Sequence, residues 1–261
     1  MKYLSVVAVL KDERPNLQEW LDFHLSVGVE HFYLYDNGSS DGSTEVLYPY
    51  IESGKVTYSY NTMDMCQMAC YYNALTAYKD QSKWMAFIDL DEFLFAPGGD
   101  LKERLKGFEQ YPGVAVNEVF FGSNGHETRP SGGVLLNYTK RRKTPDKHIK
   151  SIVQPAHTLC PAGNPHSFFY TGGQPVNEKK EPCLSPFNEP GSADLFRINH
   201  YWVKSKEEYK VKLTRGRADV PSRDPKFRYT TGLGRKLDDV FMQDNEVHDT
   251  DIWQFLEREH G

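Results

Sequence analysis

The stretch WMAFIDLDEFL, residues 84–94, carries the strongest signal in the sequence. It opens with an apolar run, Trp84 to Ile88, and then places two carboxylates, Asp89 and Asp91, on either side of one leucine. A continuous apolar run that ends abruptly in charge is typical of a buried strand in a parallel sheet. Ligands of such sheets bind beyond the carboxyl ends of the strands, so the two carboxylates are predicted to face a ligand.

Strand and helix patterns alternate upstream of this stretch. Further strands are predicted over residues 3–10, 31–35 and 55–60. A helix is predicted to begin at Pro15, because the N–H that proline lacks has no partner in a first helical turn, and a short helix is predicted to end near Gly54. Asp64 and Gln67 have the spacing of a capping box that opens a third helix. This alternation predicts an α/β fold, with a mostly parallel sheet covered by helices on both faces.

The second half of the chain has a different pattern and predicts a smaller, mixed β region. Strands are predicted there over residues 114–121, 134–139, 148–153, 168–170 and 195–203. The many Pro, Gly and Asn residues of 155–192 predict a long loop. Ser205 and Glu208 form a second capping-box pattern, which predicts a helix that ends near Arg215.

Composition excludes several classes of protein. Hydrophobic residues make up 39% and charged residues 26% of the 261 residues, so a packed globule is expected rather than disorder. The net charge is -5 and no basic run is long, which argues against a nucleic-acid partner. The apolar run at 3–10 is too short to span a membrane, and no transmembrane segment is predicted.

The four cysteines lack the spacing of a metal site, which favours a reducing compartment. We therefore predict a cytoplasmic protein. The basic cluster Lys140–Lys143 predicts a solvated loop, and a contact with a membrane surface or a substrate is the alternative.

The carboxylate pair predicts a metal site. Asp89 and Asp91 point to one side of an extended chain, where they would repel each other and lose solvation unless a cation lay between them. Mn²⁺ and Mg²⁺ prefer oxygen ligands and commonly bridge carboxylate to phosphate. The alternative is an acidic turn that caps the next helix, since acidic pairs of this kind are common.

A second polar segment, YDNGSSDG at 35–42, follows the second predicted strand. The carboxylate of Asp36 can accept a hydrogen bond from a nucleobase N–H or a ribose hydroxyl. The alternative is an ordinary capped turn, since Asp, Asn, Gly and Ser form such turns widely. Beside the carboxylate pair, nucleotide binding is the favoured interpretation of Asp36.

Taken in order, these segments resemble glycosyltransferase family 92 and related family-2-like transferases of GT-A fold. The resemblance covers about residues 3–217 and rests on VLKDERPNLQEW (9–20), HLSVGVEHFYLYDNGSSD (24–41), WMAFIDLDEFL (84–94), FGSNGH (121–126), KSIVQP (150–155) and NHYWVKSKEEYKVKLTRG (199–216). It implies a single GT-A domain over 1–261 with a Rossmann-like sheet. Within it, residues 1–110 are the nucleotide-binding half, 111–217 the metal and acceptor half, and 218–261 a C-terminal helical extension.

The resemblance also implies a site. The donor is a UDP- or GDP-sugar, the acceptor is a glycan or glycoconjugate, and His200 joins Asp89 and Asp91 as a ligand of Mn²⁺ or Mg²⁺. The residues predicted to bind the donor are Val9, Lys11, Glu13, Asp36, Gln67, Asn73, Asp89, Leu90, Lys204 and Ser205. Lys204 and Ser205 lie at a predicted helix N-terminus, which attracts phosphate, although Ser205 can simply cap that helix. Outside the family, His200 is equally compatible with a buried core histidine.

An inverting transferase needs a general base for the acceptor hydroxyl. We assign this role to Glu127, in the polar loop 122–127, and Glu118, His166 and Asp194 are the other candidates. Inversion and retention are both left open.

Two other functions are alternatives to glycosyl transfer. A sugar nucleotidyltransferase generally has a glycine-rich basic loop after its first strand, whereas this chain has Lys11 to Arg14 there without glycine. A carbohydrate-binding protein can keep the fold without turnover, but Asp89, Asp91 and His200 argue against a silent site.

Overall fold

The structure is a computed structural model that describes residues 1–215 and 237–256. The predicted helical extension at 218–261 therefore lies partly outside the described residues.

The strands are β1 (Lys2–Leu10), β2 (His31–Asp36), β3 (Val56–Tyr60), β4 (Ser82–Phe87), β5 (Glu92–Phe95), β6 (Gly113–Phe120), β7 (Lys140–Arg141), β8 (Ile149–Val153), β9 (Thr158–Pro161), β10 (Phe168–Tyr170), β11 (Arg197–His200) and β12 (Val247–His248). The helices are α1 (Arg14–Ser26), α2 (Ser43–Glu52), α3 (Gln67–Tyr78), α4 (Leu101–Lys106), α5 (Val134–Asn137), α6 (Lys206–Arg215) and α7 (Leu237–Phe241), with short 3-10 helices at Pro155–His157 and Asp251–Phe255.

The central sheet has eight strands in the order β3-β2-β1-β4-β8-β6-β11-β5. Strands β1 to β4 are parallel, and β6 and β11 run in the same direction, while β8 and β5 run antiparallel to their neighbours. The predicted α/β architecture, with a mostly parallel sheet, is confirmed. Two small antiparallel pairs, β9 with β10 and β7 with β12, lie outside this sheet.

Helices cover both faces of the sheet, as predicted. Alternate residues of β1 show this, because Val6 and Ala8 pack in one hydrophobic cluster with Trp20 of α1. Val7, between them, packs in a second cluster with Tyr71 of α3. The carboxyl ends of β1, β2 and β4 are thereby held side by side at one edge.

Some predicted elements are wrong. Residues 134–139 do not form a strand, because α5 begins there, where the carboxylate of Glu19 accepts hydrogen bonds from the backbone N–H groups of Val134 and Leu135. The predicted loop at 155–192 contains the β9–β10 hairpin. Strand β5 and helix α4 were not predicted.

The two predicted capping boxes have different outcomes. Cys66, not Asp64, precedes α3, and no side chain caps this helix. The side chain of Gln67 instead donates a hydrogen bond to Asp89. At α6 the prediction is confirmed, since Ser205 Oγ and Glu208 Oε2 lie 2.7 Å apart and the backbone N–H of Glu208 donates to Ser205 Oγ at 3.2 Å. No helix within residues 1–215 and 237–256 is long and apolar enough to cross a membrane.

Candidate functional site

A tight turn at the end of β4 carries the carboxylate pair. The N–H of Glu92 donates to the carbonyl of Asp89 at 3.1 Å, and the N–H of Asp89 donates to Glu92 Oε2 at 2.9 Å. Glu92 is fully buried, and its own carbonyl accepts from the indole N–H of Trp20 at 2.8 Å. The side chain of Glu92 therefore fixes the backbone that presents Asp89 and Asp91.

Both carboxylate oxygens of Asp89 have partners. Gln67 Nε2 donates to Oδ1 at 3.0 Å, and Lys150 Nζ donates to Oδ2 at 2.6 Å. Burial opposes ionisation, but the charge and hydrogen bond of Lys150, together with the charge of His200, hold the pKa of Asp89 below its usual value. The side chain of Asp89 remains 35% exposed and therefore accessible to a ligand.

Lys150 supplies a buried positive charge beneath the turn. Its side chain is 2% exposed and its Nζ lies 2.6 Å from Asp89 and 3.4 Å from Glu92 Oε1. Burial disfavours the ammonium, yet Asp89 and Glu92 raise the pKa of Lys150 well above its usual range. Burial raises the pKa of Glu92 to about 8, although Lys150 acts in the opposite direction.

Asp91 lies between two cationic side chains. Its Oδ2 accepts from Lys212 Nζ at 2.5 Å, and its Oδ1 lies 3.6 Å from His200 Nε2. Burial opposes ionisation, but Lys212 and His200 hold the pKa of Asp91 well below its ordinary range. Asp91 is thus a buried, ionised carboxylate whose nearest groups are basic.

His200, at the end of β11, is held between two carboxylates. Its Nδ1 lies 2.8 Å from Glu118 Oε2 on β6, and its Nε2 faces Asp91. Burial favours the neutral ring, but Asp91 and Glu118 outweigh it and raise the pKa of His200 to about 10. The predicted trio Asp89, Asp91 and His200 therefore meets at one end of the sheet.

The donor atoms of this trio suit a hard or borderline divalent cation. Asp91 Oδ1 and His200 Nε2 approach each other at 3.6 Å, a separation that two ligands of one ion can have. A carboxylate oxygen with an imidazole nitrogen is compatible with Mn²⁺. Ligand atoms of Glu92, Glu118 and His200 also lie within 4.8 Å of one another.

The family model of glycosyltransferase family 92 matches residues 8–180, which include this turn, Glu118 and Lys150. The chain belongs to that family. A family 92 protein of Oryza sativa subsp. japonica is 33% identical over 158 residues, covering 58% of this chain and 27% of the relative. A family 92 protein of Ricinus communis is 28% identical over 222 residues, covering 81% of this chain and 37% of the relative.

A galactan β-1,4-galactosyltransferase of Arabidopsis thaliana is 26% identical over 208 residues, covering 66% of this chain and 41% of that protein. The chain therefore spans less than half the length of these three relatives. Among solved structures, S. aureus TarS in complex with UDP aligns at a TM-score of 0.40 with 17% identity, over 60% of this chain and 47% of that one.

The predicted donor residues of this family 92 chain lie along the same edge of the sheet. Val9, Lys11 and Glu13 lie at the end of β1 or in the loop after it, between the ends of β2 and β4. Asp36 ends β2 and is buried, and its two oxygens accept from the N–H of Ser39 at 2.7 Å and from the Tyr58 hydroxyl at 2.8 Å. Asp36 therefore does form the capped turn, and its role in nucleotide binding stays a prediction.

Other donor residues have internal partners as well. Asn73 Oδ1 accepts from the Tyr35 hydroxyl at 2.7 Å. Leu90 is buried between the two aspartates. Lys204 has a left-handed backbone with φ 56°, an uncommon conformation for a residue other than glycine, and its charge contributes to the low pKa of Asp91.

The start of α6 is occupied by protein groups. The N–H groups of Lys206 and Glu207 donate to the carbonyls of His126 and Glu127, each at 3.0 Å, and Ser205 caps the helix. These N–H groups are therefore already paired, and phosphate binding by the ammonium of Lys204 stays a prediction.

Glu127 lies in the loop 122–127, and its side chain is 68% exposed and 3.7 Å from Lys206 Nζ. Within residues 1–215 and 237–256, no hydrogen bond or ion pair joins it to Asp89, Asp91 or His200, and its role as general base stays a prediction. Of the other candidates, Glu118 contacts His200, and His166 Nδ1 lies 3.9 Å from Glu118 Oε1.

Sequence reasoning missed three residues that complete the site: Glu92, Lys150 and Lys212. Lys150 carried a signal, because it is a single charge within the otherwise buried strand β8. Glu92 and Lys212 carried none, since an acidic residue after a turn and a lysine on a helix are ordinary surface features.

Proposed function

We propose that this chain is a metal-dependent glycosyltransferase that moves a sugar from a UDP- or GDP-linked donor to a hydroxyl of a glycan. Membership of family 92 supports the reaction class, and the relatives named as galactan β-1,4-galactosyltransferases favour a hexosyl donor such as a UDP-hexose. The observation that carries the proposal is the pairing of Asp91 Oδ1 with His200 Nε2 at 3.6 Å, at the carboxyl end of a buried parallel strand.

Asp91 and His200 are the residues that we propose to hold Mn²⁺ or Mg²⁺. When bound, the cation neutralises negative charge that develops on the leaving diphosphate. Gln67 and Lys150 already hold the two oxygens of Asp89. This limits Asp89 to orienting the donor or to sharing the cation through its remaining lone pairs, so we rank it below Asp91 as a ligand.

The residues around the pair contribute orientation and charge. Glu92 fixes the turn through the N–H of Asp89, and Trp20 anchors Glu92 from α1. Lys150 and Lys204 place positive charge near the carboxylates, where a diphosphate would approach. Glu127 remains the proposed general base.

Thermal unfolding with a panel of nucleotide sugars, each with Mn²⁺ and with EDTA, tests the proposal. A ligand that binds the folded chain raises its melting temperature by mass action, so a UDP-hexose with Mn²⁺ is expected to give the largest shift. Transfer of labelled sugar from that donor to a galactan oligosaccharide then identifies the reaction. Asp91→Asn should lose the Mn²⁺-dependent part of the shift. Equal shifts in Mn²⁺ and EDTA would contradict the metal-dependent mechanism.

A further inference from the structure

Glu118 contacts the inner nitrogen of the His200 ring. The two residues lie on the parallel neighbours β6 and β11, and Glu118 Oε2 is 2.8 Å from His200 Nδ1. The outer nitrogen, Nε2, faces Asp91 Oδ1 at 3.6 Å. The imidazole is therefore placed between a buried carboxylate on one side and the proposed metal ligand on the other.

Glu118 is an unusual residue for the middle of a sheet. It is 2% exposed, and within residues 1–215 and 237–256 its Oε1 has no hydrogen-bond partner. His166 Nδ1 lies 3.9 Å from Oε1, beyond hydrogen-bond distance, and that nitrogen is 2.9 Å from the carbonyl of Ile149. Burying a carboxylate with one oxygen unsatisfied costs stability, so a residue of this kind calls for a functional explanation.

We propose that Glu118 is a positioning residue that fixes the orientation and tautomer of His200 for cation binding, an inference that rests on the proposed function. By accepting a hydrogen bond from Nδ1–H, Glu118 keeps the proton on Nδ1 and leaves the lone pair on Nε2, the nitrogen that faces Asp91. Histidines that bind metals usually donate their second N–H to such a carboxylate, which also makes the ligating nitrogen more basic.

A second ion between Glu92, Glu118 and His200 is the competing explanation of the same cluster, since their ligand atoms lie within 4.8 Å of one another. Two contacts argue against it. Lys150 Nζ already supplies a positive charge 3.4 Å from Glu92 Oε1, and His200 Nδ1 is already engaged by Glu118. The number of ions bound per chain separates the two explanations.

Titration of Mn²⁺ without nucleotide, followed by electron paramagnetic resonance, tests the inference on the unmodified chain, Glu118→Ala and Glu118→Gln. The unmodified chain should bind one Mn²⁺. Glu118→Ala should bind it about 10- to 100-fold more weakly, the range for loss of such a partner. Glu118→Gln keeps an oxygen acceptor for Nδ1–H and should recover most of that loss. Glu178→Gln, another buried glutamate, whose partners are the backbone N–H groups of residues 194–196, is the matched control and should bind as the unmodified chain does.

Electron spin echo modulation provides a second readout that a purely structural role would not change. A coordinated imidazole nitrogen modulates the Mn²⁺ echo, and this signal should be present in the unmodified chain and in Glu118→Gln but lost in Glu118→Ala. The positioning role is overturned by unchanged affinity in folded Glu118→Ala, by equal losses in the Ala and Gln variants, or by two ions of which Glu118→Ala removes one. Absence of Mn²⁺ binding by the unmodified chain would overturn the metal-dependent function as well, so the two failures are distinguishable.

Discussion

The ammonium of Lys212 lies 2.5 Å from Asp91 Oδ2, the carboxylate that we propose to bind the divalent cation. Lys212 belongs to α6, and its Nζ also donates to the carbonyl of Trp202 at 3.0 Å. A cation bound at Asp91 Oδ1 would compete with this ammonium for the negative charge of the same carboxylate and would repel it. Metal binding is therefore expected to require that Lys212 leave Asp91.

Replacing Lys212 by methionine removes this competitor. Lys212→Met should bind Mn²⁺ about tenfold more tightly without nucleotide, a change of about 1.4 kcal/mol, which is modest for a partly exposed pair. Lys210→Met, on the exposed side of the same helix, is the matched control and should leave the affinity unchanged. Calorimetric titration of the three proteins measures the effect. Unchanged or weaker binding in Lys212→Met would show that Lys212 does not compete with the cation.

Metal binding should depend on pH through His200. Asp91 and Glu118 overcome the effect of burial and raise the pKa of His200 to about 10, so the metal-free ring is protonated at neutral pH. Only a neutral ring coordinates, and the cation must therefore displace one proton. The apparent affinity for Mn²⁺ should rise up to about tenfold per pH unit from about pH 6 to 9. Titrations in two buffers of different ionisation enthalpy should show about one proton released, and His200→Gln should lose this component. The same slope in that variant would assign the proton to another group.

The free energy of unfolding of the metal-free chain should fall as the pH rises, whereas the affinity for Mn²⁺ should increase. The pKa of His200 rises from 6.5 in the unfolded chain to about 10 in the folded chain. Its ion pairs therefore stabilise the fold fully below about pH 6.5, and this contribution is lost as the pH rises towards 10. Urea unfolding of the unmodified chain and of His200→Gln, both in EDTA, should give free energies that converge between pH 7 and 10. Divergence with rising pH would contradict the assignment.

Lys150 should be required for stability as much as for binding. Lys150→Met leaves Asp89 and Glu92 without their shared positive charge and should lower the free energy of unfolding by about 3 kcal/mol, the lower end for a broken buried pair because Asp89 is partly exposed. The double variant Lys150→Met/Asp89→Asn removes the ionised carboxylate that would be left without its partner and should recover part of that loss. Urea unfolding measures both. A single variant as stable as the unmodified chain would show that solvent already compensates these carboxylates.

Variants of Asp36 can separate its structural role in the capped turn from its predicted role in nucleotide binding. Asp36→Ala should lower the free energy of unfolding by about 1–3 kcal/mol, because the N–H of Ser39 and the hydroxyl of Tyr58 lose their acceptor. Asp36→Asn keeps an oxygen acceptor, so it should remain more stable while binding UDP more weakly. Tyr58→Phe is the control that removes one hydrogen bond without changing charge. Normal UDP affinity in folded Asp36→Asn would reduce Asp36 to a turn residue.

The parts of the fold that were predicted correctly are those set by local pattern. Strands such as β1 and β4 are long apolar runs, and the box of Ser205 with Glu208 is closed by residues three positions apart. The wrong predictions depended on remote partners. Val134 and Leu135 begin a helix because Glu19, more than a hundred positions away, caps them.

In the candidate site, too, the contacts that could not be predicted are those between residues far apart in the sequence. The proximity of Asp89, Asp91 and His200 could be predicted, because the carboxylates end an apolar strand and the histidine matches the family pattern, while their role as metal ligands stays a prediction. Gln67 was assigned to Asp64 by its spacing, yet it bonds to Asp89, 22 positions away. Neither Lys150 nor Lys212 could be paired with a carboxylate from spacing, since their partners lie 61 and 121 positions away. Such pairs are created only when the sheet assembles.

Strand β5 links the site to one edge of the sheet, since Glu92 is both the residue that closes the turn and the register partner of His200 on β11. The backbone N–H of Tyr201 also donates to the carbonyl of Asp91 at 2.8 Å. A cation shared by Asp91 and His200 would therefore tie the chain segments of these two strands together. Amide hydrogen exchange in β5 and β11 should slow when Mn²⁺ binds, while β3, at the opposite edge, should exchange at an unchanged rate.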